Sequence, residues 1–171
     1  MTSGILDYLA ELGVESRPCD HASVGVHPEI PVLPGWEVVP AEVLPSAFQL
    51  LVPSSYPAKK WRPNAVLMHG QLSAPVDANR LLAHADEDSA VLPGWSVTKE
   101  SRDPWHGHPS YFVEGTYAIE DLNLLAMTRY VVPTGPDGRM YLTQLTITIP
   151  AAEQTRFGVD AVTMNAALAI R

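Results

Sequence analysis

HPSYFVEGTYAIEDLNLLAMTRYVVPTGPDGRMYLTQLTITI, residues 108–149, decides the fold. Tyr111, Val113 and Tyr117 alternate with polar positions, the period of a strand with one buried face. Leu124 to Val132 is apolar on both faces, as a central strand covered on both sides must be. Thr134-Gly-Pro-Asp-Gly138 is a turn, because Pro and Gly supply the dihedrals a reversal needs. Tyr141, Thr143, Leu145 and Ile147 then share one face, and Gln144, Thr146 and Thr148 the other. Strands joined by such short connections form an antiparallel meander.

Outward from the meander, Pro150 opens a helix in which Phe157, Ala161, Met164 and Leu168 recur at helical spacing. Upstream, Phe48, Leu50 and Val52 share a face of a strand ending at Pro53, and Ala65 to Leu72 forms a second strand pairing antiparallel with it. Ser73-Ala-Pro-Val-Asp77 starts a helix, with Ser73 as the cap candidate, Pro75 in the first turn and the Asp77 carboxylate near the positive dipole end, and Ala78, Leu81, Leu82 and Ala85 form its apolar stripe. That helix is expected to stop at or before Asp86-Glu87-Asp88, because the C-terminal end of a helix dipole disfavours anions. Thr2-Ser3 caps an opening helix carrying Ile5, Leu6, Leu9 and Leu12, and Gly13 ends it. Residues 14–46 are Pro-rich extended chain and turns. The predicted fold is α+β, a single domain over 1–171 with a central antiparallel sheet packed by helices. Val32-Leu-Pro-Gly-Trp36-Glu-Val38 recurs as Val91-Leu-Pro-Gly-Trp95-Ser-Val97; each reads as a type II turn that drops an indole onto the core.

Composition narrows the function. With 11 Lys+Arg against 19 Asp+Glu the net charge is −8, which excludes nucleic acid as the main partner. One Cys permits no internal disulfide and no Cys-based zinc cluster. No apolar run approaches the roughly 18 residues of a membrane span, so no span is expected. Asp7, Glu11 and Glu15 interrupt the opening segment, so no signal peptide is visible there. Neither a dinucleotide nor a phosphate loop occurs, and no cofactor is expected.

The order of several short stretches resembles the mycobacterial LpqN-type lipoprotein family. They are Ile5-x-Asp7-Tyr8-Leu9, Ile30-Pro-Val-Leu-Pro-Gly-Trp36, Val76-Asp77 with Leu81 and Ala85, and Leu92-Pro-Gly-Trp95. Gly115-Thr-Tyr117, Thr128-Arg129-x-Val131-Val132 and Tyr141-Leu-x-Gln-Leu-Thr146 complete them. The resemblance implies a PsbP-like α/β/α sandwich and a non-enzymatic, envelope-associated role, with trehalose-type glycolipid or an envelope or mycolate-export protein as partner. Cys19 follows Ser16-Arg17-Pro18 and is not a lipoprotein-type Cys. Lipid anchoring is therefore not supported, and the location is open between the cytoplasm and export by a non-classical route.

Two loops carry the candidate binding residues. Lys59, Lys60, Trp61 and Arg62 place cations around an indole that can stack on a sugar while the cations hold an anionic headgroup. The family resemblance does not extend to them. Trp105, His106 and His108 form the second loop; two His at i and i+2 beside Asp103 could meet a metal but need further ligands, so no metal is assigned. Cys19-Asp20-His21 and Ser110 near His106 and His108 hint at nucleophilic chemistry, without an elbow or oxyanion hole. Arg129, in the most apolar strand, must be paired if it faces inward, and Glu114 or Glu120 is the expected partner. The reading is a binding or adaptor protein and not an enzyme. The alternatives are a cytosolic protein–protein interaction module and a small hydrolase or metal-binding protein.

Overall fold

The structure, a computed structural model, describes residues 4–171. Along the chain come α1 (Ile5–Glu11), β1 (Ser16–Pro18), β2 (Pro28–Glu29), β3 (Trp36–Val38), β4 (Gln49–Pro53) and β5 (Asn64–Leu72). Then follow α2 (Ala78–Leu82), α3 (Ala85–Ala90), β6 (Ser96–Ser101), β7 (Ser110–Ile119) and β8 (Leu122–Val131). The chain closes with β9 (Tyr141–Pro150), α4 (Gln154–Ala166) and β10 (Ala169–Ile170). This is the expected α+β fold. The main sheet runs β3-β4-β5-β9-β8-β7-β6, every pairing antiparallel, with β1 also paired to β5.

Strand parity sorts the core into two layers. Leu125, Met127 and Val131 of β8 and Leu145, Ile147 and Ile149 of β9 point to the α4 side, where Phe157, Ala161 and Met164 cover them. Burying the Phe157 and Met164 side chains contributes roughly 1.5–3 kcal/mol each. Tyr111, Val113, Tyr130 and Leu142 point to the opposite side, beneath Ile5 and Leu9 of α1 and Leu81, Leu82 and Ala85 of the α2–α3 segment. Both Pro-Gly-Trp turns form as expected. Gly35 and Gly94 have φ of 83° and 65°, and the Trp36 and Trp95 amides bond back to Leu33 and Leu92. Trp36 lands on the α4 side and Trp95 on the other.

The helices on the α1 side depart from expectation in two places. The Thr2-Ser3 cap lies outside the described residues. Asp88 of α3 reaches across to accept the Ile5 amide at 3.2 Å. Asp77, rather than Ser73, caps α2, accepting from the Asn79 and Arg80 amides at 3.0 and 3.1 Å. Ser73 Oγ instead accepts from the Glu15 amide. The helix from Ala78 does stop before Asp86-Glu87-Asp88, at Leu82, as expected; the unforeseen feature is that the chain restarts as α3, so these carboxylates occupy a first turn, where the dipole favours them.

Candidate functional site

Short helices leave part of the sheet bare. Seven residues of α1 span about 10 Å, whereas seven adjacent strands span about 30 Å. Between α1, α3 and the sheet lies a groove of about 530 Å³. Its floor is strand: Met68 and Gly70 of β5, Tyr130 of β8, and Leu142 and Gln144 of β9. Ser16 and Pro18 of β1 close one side, and Gly4–Asp7 with Glu87, Asp88 and Val91 form the wall. The volume falls within the roughly 300–1,000 Å³ typical of small-molecule sites.

The wall is held by one carboxylate. Asp88 Oδ2 accepts from the Tyr130 hydroxyl at 3.0 Å while Oδ1 accepts from the Ile5 amide. Burial pushes the Asp88 carboxyl above its ordinary range, and the Tyr130 and Ile5 bonds partly offset the rise. Burial beside Asp88 likewise raises the Tyr130 phenol, which stays protonated as the donor. A Cβ on Gly4 would sit 1.8 Å from Asp88 Oδ1, so glycine is what lets the α1 entry close onto α3. Glu87 differs from Asp88: its Oε2 is buried and has no hydrogen-bond partner among the described residues.

The loops singled out in sequence lie elsewhere. Trp105 turns inward. Its indole N–H donates to the Leu168 carbonyl at 2.9 Å, and its ring packs on the α4-side core. Trp105 and His108 close a two-residue turn through reciprocal backbone bonds, with His106 and Gly107 at φ of 50° and 83°. His106 is exposed and His108 half-buried. No cluster of three or more metal-ligating side chains occurs among the described residues. Lys59 and Lys60 are exposed and Trp61 half-buried, while Arg62 donates to the Pro53 carbonyl and sits 3.5 Å from Glu37. None of these residues lines the groove, and none lines the hollow under α4 or the pocket around His21, His27 and Phe48.

Arg129 corrects an expectation. It is buried on the α4 side, yet Glu114 accepts from Thr98 instead, and no carboxylate pairs with Arg129 among the described residues. Its guanidinium lies 3.8 Å from the Trp105 ring centre and 4.8 Å from that of Phe112, and its Nε donates to Asn165 at 3.0 Å. Ring faces, which are electron-rich, take the place of a counter-ion. Burial lowers its pKa to about 10, so it remains a cation at neutral pH. Ser110 is buried against Arg129 and lines neither the groove, the hollow under α4 nor the pocket around His21, His27 and Phe48. Cys19 has its thiol pKa pushed up, chiefly by burial, the wrong direction for a thiolate nucleophile.

The groove residues were not singled out by sequence. The available signal was parity: Met68, Leu142 and Gln144 sit on the sheet face that three short helices must cover.

A central antiparallel sheet between two helical layers, with a groove on one side, defines an α/β/α sandwich protein. The family model described as "Probable lipoprotein LpqN" matches residues 1–168, and the chain belongs to that family. It is 30% identical over 160 residues to the Proline-rich 28 kDa antigen of Mycobacterium tuberculosis, covering 91% of this chain and 50% of the antigen. It is 29% identical over 150 residues to the "Putative lipoprotein LpqT" of Mycobacterium leprae, covering 85% of this chain and 66% of that protein. The chain thus spans about half to two thirds of the length of these relatives. The crystal structure of LpqN, involved in cell envelope biogenesis of Mycobacterium tuberculosis, superposes with a TM-score of 0.86 over 99% of this chain and 98% of that one, at 19% identity. At that identity the likeness establishes the fold. No helix among the described residues is long and apolar enough to cross a membrane.

Proposed function

We propose that the chain is a non-enzymatic binding protein that holds one amphiphile of the trehalose-glycolipid class in the groove between α1, α3 and the sheet. The observation that carries this reading is the pairing of an apolar strand floor, Met68 and Leu142, with a wall of hydrogen-bond acceptors at Asp7, Glu87 and Asp88. An acyl chain gains by covering Met68 and Leu142, and sugar hydroxyls supply the donors that carboxylates lack. Strands hold the floor rigid, so little ordering cost opposes binding. Family membership supports the envelope setting, and the involvement of LpqN in envelope biogenesis supports the ligand class by analogy.

Calorimetry with a trehalose monoester tests it. The chain should give saturable heat, and Met68→Trp, which fills the half-buried floor position, should weaken binding at least tenfold while the fold persists. No heat up to near-millimolar ligand, or a Met68→Trp variant that binds as tightly, removes the reading.

A further inference from the structure

We propose that the groove selects its occupant by charge, accepting an uncharged polyol head group and rejecting an anionic one, with Glu87 as the deciding charge. This rests on the groove being the ligand site. The charged side chains lining it are Asp7, Glu87 and Asp88, and neither Lys nor Arg joins them. His69 also borders the groove, but both its ring nitrogens are bonded on the opposite side of the sheet, to Thr143 and the Val26 carbonyl.

The three carboxylates have different duties. Both Asp88 oxygens are committed, to Ile5 and Tyr130. Asp7 is exposed, where water and salt screen it. Glu87 is half-buried and lines the groove, and its Oε2 is enclosed without a donor among the described residues. A carboxylate held in a partly desolvated wall is screened less than an exposed one. A sulfate or phosphate monoester head brings a like charge beside it, a penalty that an uncharged polyol head does not meet.

Octyl glucoside and octyl sulfate, both below their micelle concentrations, share one tail and differ at the head. Calorimetry at low ionic strength should show the glucoside binding at least tenfold more tightly. Glu87→Gln keeps the side-chain shape and changes the total charge by one unit out of eight. It should cut the preference to about threefold or less, mainly by improving octyl sulfate, whereas repulsion from the net charge as a whole would leave the preference intact. Added salt should tighten octyl sulfate and leave octyl glucoside unchanged. Equal binding of the two amphiphiles to the unaltered chain, or a preference that survives Glu87→Gln, overturns the charge selection and leaves the groove reading standing. Failure of both amphiphiles to bind, together with the trehalose monoester, removes the groove reading itself.

Discussion

Acidification should unlatch this protein at His69. The ring is 3% exposed, packed between Tyr141, stacked at 5.1 Å, and the edge of Phe48 at 5.6 Å. Its Nε2 is 2.8 Å from the Val26 carbonyl, which can only accept, so that nitrogen carries the proton. Nδ1, 2.9 Å from Thr143 Oγ1, is then the acceptor of the neutral ring. Burial lowers the His69 pKa from 6.5 to about 4; the Val26 bond opposes the shift and His27 adds to it. Between those two values the unfolded chain binds a proton that the folded chain refuses. Stability from the neutral ring is therefore fully present above about pH 6.5 and is lost as the pH falls toward 4. The size of the loss is about 3 kcal/mol, from 2.5 pKa units at 1.36 kcal/mol each.

Other groups titrate in the same range, and Asp88, whose raised pKa makes the folded chain the better proton binder, contributes with the opposite sign. The measurement is therefore a difference. Urea unfolding followed by Trp fluorescence is compared for the unaltered chain and His69→Gln, an uncharged amide that can still donate to Val26 and accept from Thr143. His69→Gln should cost about 1–3 kcal/mol at pH 7, and that gap should shrink by about 3 kcal/mol at pH 4. A gap that stays constant within about 0.5 kcal/mol across that range, at unchanged m-values, would refute the argument.

Two further substitutions probe the rest of the frame. Gly115→Ala places a Cβ 2.5 Å from the Trp95 ring and 2.6 Å from the Ser96 carbonyl oxygen on neighbouring β6, and the backbone oxygen cannot step aside; we expect a loss of at least about 2 kcal/mol, read as a fall in Tm of roughly 4–8 °C. Arg129→Lys keeps the charge but cannot lie flat between Trp105 and Phe112 while bonding Asn165, so it should cost about 1–3 kcal/mol in urea unfolding; an unchanged midpoint would show that the stacked guanidinium contributes nothing beyond its charge.

The meander was legible because strand parity is a local property: the alternation from Tyr141 to Ile147 states which side chains face α4 before any partner strand is known. The turns were legible for a similar reason, since Gly35, Gly94 and Gly138 all take the positive φ that their Pro-Gly and Asp-Gly contexts demand. Local rules failed where a residue answers to a distant one. The helix from Ala78 does stop before Asp86-Glu87-Asp88, but its restart as α3 was not legible: the break at His84 lets Leu81, Leu82 and Ala85 all reach the core, and it gives the carboxylates a helix start. Arg129 reads as half of an ion pair because a carboxylate is the usual partner of a buried cation, and nothing near it in sequence announces that Trp105, 24 positions upstream, turns inward.

The groove was illegible for a deeper reason. It is made by what the helices fail to cover, and that depends on their lengths and placement together, not on any one residue. Once α1 is anchored to α3 through Asp88, the rest of the floor from Met68 to Gln144 has no helix left to cover it. The bond that caps α1 also fixes the wall of the groove, so the entry to the helix and the shape of the wall are set by one carboxylate. Adjacent Glu87 takes no part in that latch, so substitutions there can change the charge of the wall while the Asp88 bonds hold its shape.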